Sequence, residues 1–492
     1  MRNSPYHPDQ WSTLIPSIGK LISEIERVPI ISVGITPYTR VIPAFFLKNY
    51  SVYVTRRSSD VDIMEQQVRM HVLEDRDPKL AARVHGTGYL LGSYAFQNFL
   101  KSRRGPVRLM INTAPEKSID ELRKLGYECL GNLPATTSGV AFKGDFRQLV
   151  RDRGLPSVPS KVYSRSDFLS LPFETLWSEH DGAFVVQRAD KEVGGNEGTF
   201  FVHTKEQFER SVEALGRDES FASVLVTPYI AGPSVSMLGC VMSEGVLSGP
   251  LQLQLIDVPE SLHGVEGDGM FFGNDLGFAP WGTEIEHQAQ DVVESIGAYM
   301  RDQGYRGIFG IDFLYDEARG NIYPNECNPR FTGSVTLYSL MLLESGVPPL
   351  EFFHLLAHLG IPADFDFDAV NAALKKRIPY SHIAFSPKGI QSMEMPFLTG
   401  VYSFDPTGPS LAYKGPGMSL ADIKHGNEFL LIDTVPKMGA AIEQSAVRLF
   451  KFIFPRSIAR SSYEIDASAG LLLERFSRSL IAASEKAHKE SA

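Results

Sequence analysis

The chain has 492 residues, 43% hydrophobic and 22% charged, an ordinary globular composition that excludes extended disorder and leaves room for two to four domains. Its 48 basic and 58 acidic side chains give a net charge of -10, which repels a phosphate backbone and argues against a nucleic-acid partner. Cys129, Cys240 and Cys327 stand far apart, so there is no disulfide framework or metal knuckle, and with no signal-like h-region or membrane-length apolar run the chain reads as soluble, membrane-free and cytoplasmic.

In chain order, VPIISVGI, YSVYVT and VRLMINTA read as short buried strands. The segment DPKLAARVHGTGYLLGSYAFQNFLKS between them has a helical period, so the first third predicts an open βαβ sheet. GTGYLLG, residues Gly86 to Gly92, has the wrong spacing for a dinucleotide fingerprint and reads as a helix connection. Next, LPATTSGVAFKGDFRQLVRDRGLPSVPS marks a boundary, with Thr137 or Ser138 capping a helix that ends near Gly154. AFVVQRA and GTFFVHT flank a glycine loop as a hairpin, followed by a helix through EQFERSVEALG and the strand SVLVTPYI.

Strands around VSMLGCVM and GPLQLQLID lead into a loop rich in glycine and aromatic residues, Gly264 to Gly282. Loops this long are often lids or specificity elements, and Asp268, Asn274 and Asp275 there are candidates to read a substrate amine. A helix through EHQAQDVVESIGAYMRDQG precedes two strands, GIFGIDFLYD and NIYPNECNP. From about Pro379, further strands and two terminal helices predict a cap packed on the body of the protein.

Folding FGIDFLYD onto NIYPNECN as an antiparallel hairpin that turns near Arg319 and Gly320 sets Asp312 opposite Glu326. Directly opposed side chains lie roughly 4.5–5.5 Å apart at Cβ, where like charges destabilise each other. A divalent cation removes the conflict. The period of two brings Asn328 to the face of Glu326 and turns Cys327 towards the core. Two carboxylates and an amide oxygen are hard ligands, suited to magnesium held with phosphates. Arg330 beyond them can neutralise a transferring phosphoryl group, and small residues such as Thr332, Gly333 and Ser334 can hold an oxyanion. An exposed hairpin that merely carries acids is the alternative.

GIDFLYDEARGNIYPNECNPRFTGS resembles the metal-binding segment of the ATP-grasp superfamily, with an acid on one strand and Glu-x-Asn-x-Arg on the next. The resemblance implies an α/β (α+β) ATP-grasp fold. Its parts would be a pre-ATP-grasp βαβ domain over 1–135, a small lobe with a glycine-rich flap over 136–226, a catalytic lobe over 227–378 and a C-terminal cap region over 379–492. It implies ATP and one or two Mg2+ ions as cofactors, with Asp312, Glu326 and Asn328 as metal ligands and Arg330, Gly333 and Ser334 as catalytic residues. VGGNEGTFF resembles the phosphate flap, bringing in Gly194, Gly195 and Gly198. Lys143 resembles the first nucleotide-binding lysine. Gln187 stands where the family usually has a second lysine, which implies that either Arg188 or Lys191 compensates or ATP binds more weakly. VLVTPYIAG resembles the adenine hinge, with Thr227, Pro228 and Tyr229; Thr227 and Ser234 occupy positions where the family often has acids.

The implied activity is an ADP-forming carboxylate-amine ligase that works through an acyl phosphate, with amino acids or peptides as leading substrates and a homodimer as a common assembly. A purine-pathway or carboxylase-type acceptor, and a nucleotide-binding regulatory protein without turnover, are the alternatives.

Overall fold

The structure is a computed structural model that describes residues 4–112, 115–190, 198–262, 269–362, 364–386, 390, 392–394, 397–407, 411–440, 442 and 448–491. Its first layer is a parallel sheet of β1 (Ile30–Val33), β2 (Tyr50–Val54), β3 (Arg69–Val72), β4 (Arg108–Ile111) and β5 (Glu128–Leu130), in the order β3-β2-β1-β4-β5. β1 and β2 are buried along their whole length, as expected of parallel strands covered on both faces. The helical stretch after β3 is broken into Pro78–Ala81, Thr87–Gly92 and Tyr94–Lys101. Gly86 and Ser93 take extended conformations there, and the Ser93 hydroxyl accepts from the Phe96 N–H to start the last piece.

The segment expected as one helix up to Gly154 is two, Ser138–Ala141 and Lys143–Asp152, because Phe142 between them is extended (φ -90°, ψ 131°). Lys143 therefore opens a new helix rather than sitting inside an old one. A second, antiparallel sheet follows: β6 (Lys161–Ser164), β7 (Phe184–Arg188), β8 (Thr199–Val202) and β9 (Ser223–Pro228), in the order β6-β9-β7-β8. The helix Lys205–Arg217 begins at a capping box in which Thr204 and Gln207 satisfy each other's backbone N–H. Phe208 on that helix packs with Phe168 and Phe184 under the sheet.

The third sheet has 11 strands. It contains β10 (Ser234–Val241), β11 (Val246–Ser248), β12 (Gln252–Ile256), β13 (Phe271–Asp275), β14 (Gly307–Asp316), β15 (Asn321–Asn328), β16 (Ser381–Ala384), β17 (Gly400–Phe404), β18 (Leu411–Gly415), β19 (Glu428–Ile432) and β20 (Lys451–Phe454). Its order is β15-β14-β10-β12-β13-β16-β20-β19-β17-β18, with β11 on β10. The segment from Pro379, expected as a cap, instead continues this sheet: β16 pairs with β13 on one side and β20 on the other. In place of two terminal helices, the described residues there carry one α-helix beyond β20, Ala467–Ser491.

The join is reinforced by Asp275, fully buried. Its carboxylate accepts from the N–H groups of Gly277, Phe278, Ile458 and Ala459 at 2.8–2.9 Å and from the Ser457 hydroxyl at 2.8 Å. Five donors satisfy a buried carboxylate. Asp275 is thus a structural clasp, which corrects its assignment as a reader of substrate amine.

Candidate active site

β14 and β15 pair antiparallel with Asp312 opposite Glu326 and Gly310 opposite Asn328, and a bulge beyond Asp312 brings Phe313 opposite Pro324. The turn between them ends at Gly320, whose φ of 62° suits a residue without Cβ. Asp312 accepts from Gln254 Nε2 at 2.9 Å and from Asn328 Nδ2 at 2.8 Å. Burial first, and the facing charge of Glu326 second, push its carboxyl up to about 7. Lys143 Nζ ion-pairs with Glu326, so one carboxylate of the pair has a counter-charge while the other carries the desolvation cost.

Arg147, one helical turn beyond Lys143 and buried, donates to Pro324 O at 2.7 Å and to Asn325 Oδ1. It pegs the bulged stretch of β15 beside Glu326. Cys327 points to the other face, into the core, where burial raises its thiol well above the ordinary range, so it stays protonated and takes no nucleophilic role.

One cavity of about 500 Å³ collects most of the residues the sequence singled out. Asp312, Glu326, Asn328, Arg330, Gly333, Ser334, Lys143, Gln187, Thr227, Pro228, Tyr229 and Ser234 all line it. The flap glycines Gly194 and Gly195, together with Lys191 and Asp268, lie outside the described residues. Gly198 lies just before β8 at φ 76°, and a Cβ there would meet the Arg188 side chain at 2.7 Å.

Arg188 itself pairs with Asp218 at 2.5 Å and stacks over Phe221. It sits on the opposite face of β7 from Gln187 and is not the compensating charge the sequence called for. Gln187 is nearly buried and donates to Thr199 Oγ1 at 3.3 Å. Just beyond β9, the Tyr229 N–H donates to Ala183 O at 2.9 Å. The Tyr229 ring meets the edges of His203 and Phe201, so the end beyond β9 has an aromatic wall. The helix Val335–Glu344 begins after Ser334, whose hydroxyl lies 3.2 Å from Thr332 Oγ1.

Sequence reasoning missed several contributors. Ser236 and Gln254 extend the polar floor from Asp312 towards Asn274. The signal for Gln254 was present, as a polar residue inside the apolar strand GPLQLQLID. Phe271, Arg448 and Tyr463 also line the cavity, and nothing local in the chain marks the last two. Lys451, almost buried, pairs with Asp433 at 3.0 Å and reaches Gly333 O at 3.4 Å.

The donor set fits magnesium: two opposed carboxylates, one with its proton affinity raised, and amide groups beside them.

Residues 172–334 match the ATP-grasp domain model, so this stretch of the chain is similar to an ATP-grasp domain. Lys143 and everything after Ser334 fall outside the matched segment. An 80-residue stretch is 38% identical to the D-alanine--D-alanine ligase of Synechococcus sp. strain RCC307, covering 16% of this chain and 21% of that one. Over 245 residues the chain is 20% identical to the carbamoyl phosphate synthase large chain, C-terminal section, of Methanopyrus kandleri, covering 49% of this chain and 42% of that one. The chain thus spans less than half the length of either relative. Among solved structures, the biotin carboxylase domain of the Hydrogenobacter thermophilus 2-oxoglutarate carboxylase, a dimer in complex with MgADP, ADP and bicarbonate, superposes with a TM-score of 0.55. The two share 14% identity over 86% of this chain and 85% of that one, a likeness of fold. Among the described residues no helix is long and apolar enough to cross a membrane.

Proposed function

We propose that this protein is an ATP-dependent, ADP-forming ligase that activates a substrate carboxylate as an acyl phosphate and joins it to an amine, with amino acids or peptides as its substrates. The observation that carries this reading is the Asp312–Glu326 opposition inside the same cavity as the β9 hinge. Asp312, Glu326 and Asn328 would hold magnesium, which would supply charge neutralisation on the phosphates of ATP. Lys143 and Gln187 would contact those phosphates, and Thr227, Pro228 and Tyr229 the adenine. Ser234 would face the ribose through a hydroxyl alone.

In the first step a carboxylate oxygen attacks the γ-phosphorus, the bond to the β-phosphate oxygen breaks and ADP leaves. In the second, the amine attacks the acyl carbon, phosphate departs and the nitrogen loses a proton. Arg330 would offset negative charge on the transferring group, and the backbone at Gly333 and Ser334 would hold an oxyanion, since such chemistry depends on positioning and fixed charge. The three cysteines are free buried thiols, which supports a reducing, cytoplasmic setting.

A second reading takes bicarbonate as the activated carboxylate, as in the solved carboxylase domain that holds it beside MgADP. One assay separates them: ATP consumption with magnesium across pools of carboxylates, with hydroxylamine as surrogate amine and ADP resolved from AMP. ADP with a hydroxamate supports the ligase and names its acid. ADP release that depends on bicarbonate alone supports the second reading, and AMP overturns both.

A further inference from the structure

We propose that the amine substrate carries a carboxylate of its own, and that Arg448 holds this carboxylate beside the ring of Phe271. The proposal rests on the ligase reading above and assigns its acceptor subsite. Along the sheet, β20 lies beyond β10, β12, β13 and β16 from the metal strand β14. Ser236 faces Asp312 across β10 and β14, and Gln254 faces Asn274 across β12 and β13. All four line the cavity, so its floor is a polar row running from the carboxylate pair towards the segment that carries Arg448.

At that far end the Arg448 guanidinium lies 5.4 Å from the centre of the Phe271 ring. The same ring lies beside Gly333, where a Cβ would touch it at 3.5 Å. Desolvation is the largest influence on the Arg448 cation and disfavours it, the charge of Asp433 favours it, and the charge of Arg330 disfavours it by less. Asp433, however, is the ion-pair partner of Lys451 at 3.0 Å. Two guanidinium groups of like charge thus face one cavity, an arrangement an anion relieves.

Arg330 stands two residues after Asn328 and belongs with the transferring phosphoryl group. Arg448, from another part of the sheet, is left for a second anion. Between the two ends, Asn274 is 1% exposed and its Oδ1 has no hydrogen-bond donor among the described residues. An unmet carbonyl acceptor on a residue that lines the cavity suits an N–H of the incoming amine once the side chain turns towards it. Nitrogen at Asn274 and carboxylate at Arg448 describe an amino acid acting as the nucleophile.

The test uses the full chain and the acid named by the hydroxamate screen. Ligation is measured with a pool of L-amino acids and with a pool of the same amino acids as their neutral-ended amides. The expected wild-type preference for free carboxylates is about tenfold or more, the scale of a charge-assisted hydrogen bond. Arg448→Gln should reduce that ratio to below about twofold, and Arg448→Lys should restore part of it. Because the ratio is taken within each protein, a general loss of activity does not imitate the result. Equal use of amides by the wild type, or a preference retained in Arg448→Gln, overturns the assignment while the ligase reading stands. No hydroxamate and no ADP with any acid overturns the ligase reading and this proposal with it.

Discussion

At the β14–β15 end of the cavity, Asp312, Glu326, Lys143 and Arg330 crowd four formal charges around one strand pair, whereas at the β7–β9 end Gln187, Thr199 and Thr227 meet the same cavity with none. At the charged end Lys143 offsets Glu326, while Asp312 is held by hydrogen bonds from Gln254 and Asn328. The neutral end depends on hydrogen bonds and aromatic packing, which select a shape without drawing it in over distance. Chemistry is therefore concentrated at one end and tolerance at the other.

The comparison breaks most visibly at Glu326. Glu326→Gln should lower magnesium-dependent ATP turnover by about three orders of magnitude with the fold intact, measured as ADP release alongside far-UV circular dichroism; unchanged turnover would remove Glu326 from the metal set. Arg147→Met tests the peg beneath it. It should keep the volume of the side chain but free Asn325 and Pro324 O, and kcat should fall about tenfold with a smaller change in KM for ATP. An unchanged kcat would show that the bulge holds itself.

Asp312 gives the pH-dependent test. Its carboxyl titrates near 7 in the folded chain and near 4 when unfolded, so the folded state binds the extra proton between those values. Stability in metal-free buffer should fall as pH rises from about 4 to about 7 and then level. Asp312→Asn should flatten that part of the profile and raise the urea midpoint at pH 8 by an amount worth about 1–2 kcal/mol, while abolishing turnover. A profile identical to wild type would show that Asp312 does not carry this titration.

The smallest effect belongs to the neutral end. Gln187→Lys should tighten ATP binding several-fold, about 1 kcal/mol, by adding a charge where the chain now has an amide, read by calorimetric titration. No change in affinity would place Gln187 away from the phosphates.

The hairpin was legible because a period of two and a turn at Gly320 suffice to oppose Asp312 and Glu326; both partners lie within 15 residues of each other. The strands β7, β8 and β9 were legible for the same reason, as local patterns of β-branched residues between glycines. What the sequence hid was non-local. The pairing of β13 with β16 joins residues more than 100 positions apart, so a continuation of the sheet was read as a separate cap. Asp275 was offered to substrate because its five donors come partly from Ser457 to Ala459, nearly 200 residues downstream. The helix break at Phe142 escaped because an aromatic residue with no proline or glycine beside it carries no breaking signal.

The clasp made by Asp275 bears on how this chain can be divided. A protein cut before Tyr380 would leave the hydrogen-bonding edge of β13 bare along Gly273 to Asp275 and strip three of the five donors from a buried carboxylate. Such an edge recruits other strands and such a charge cannot stay dry. The C-terminal residues are then not an appendage that an ancestor or an engineer could exchange like a module. They complete the sheet that carries Asp312 and Glu326, and a graft of either part onto another scaffold has to carry the seam across.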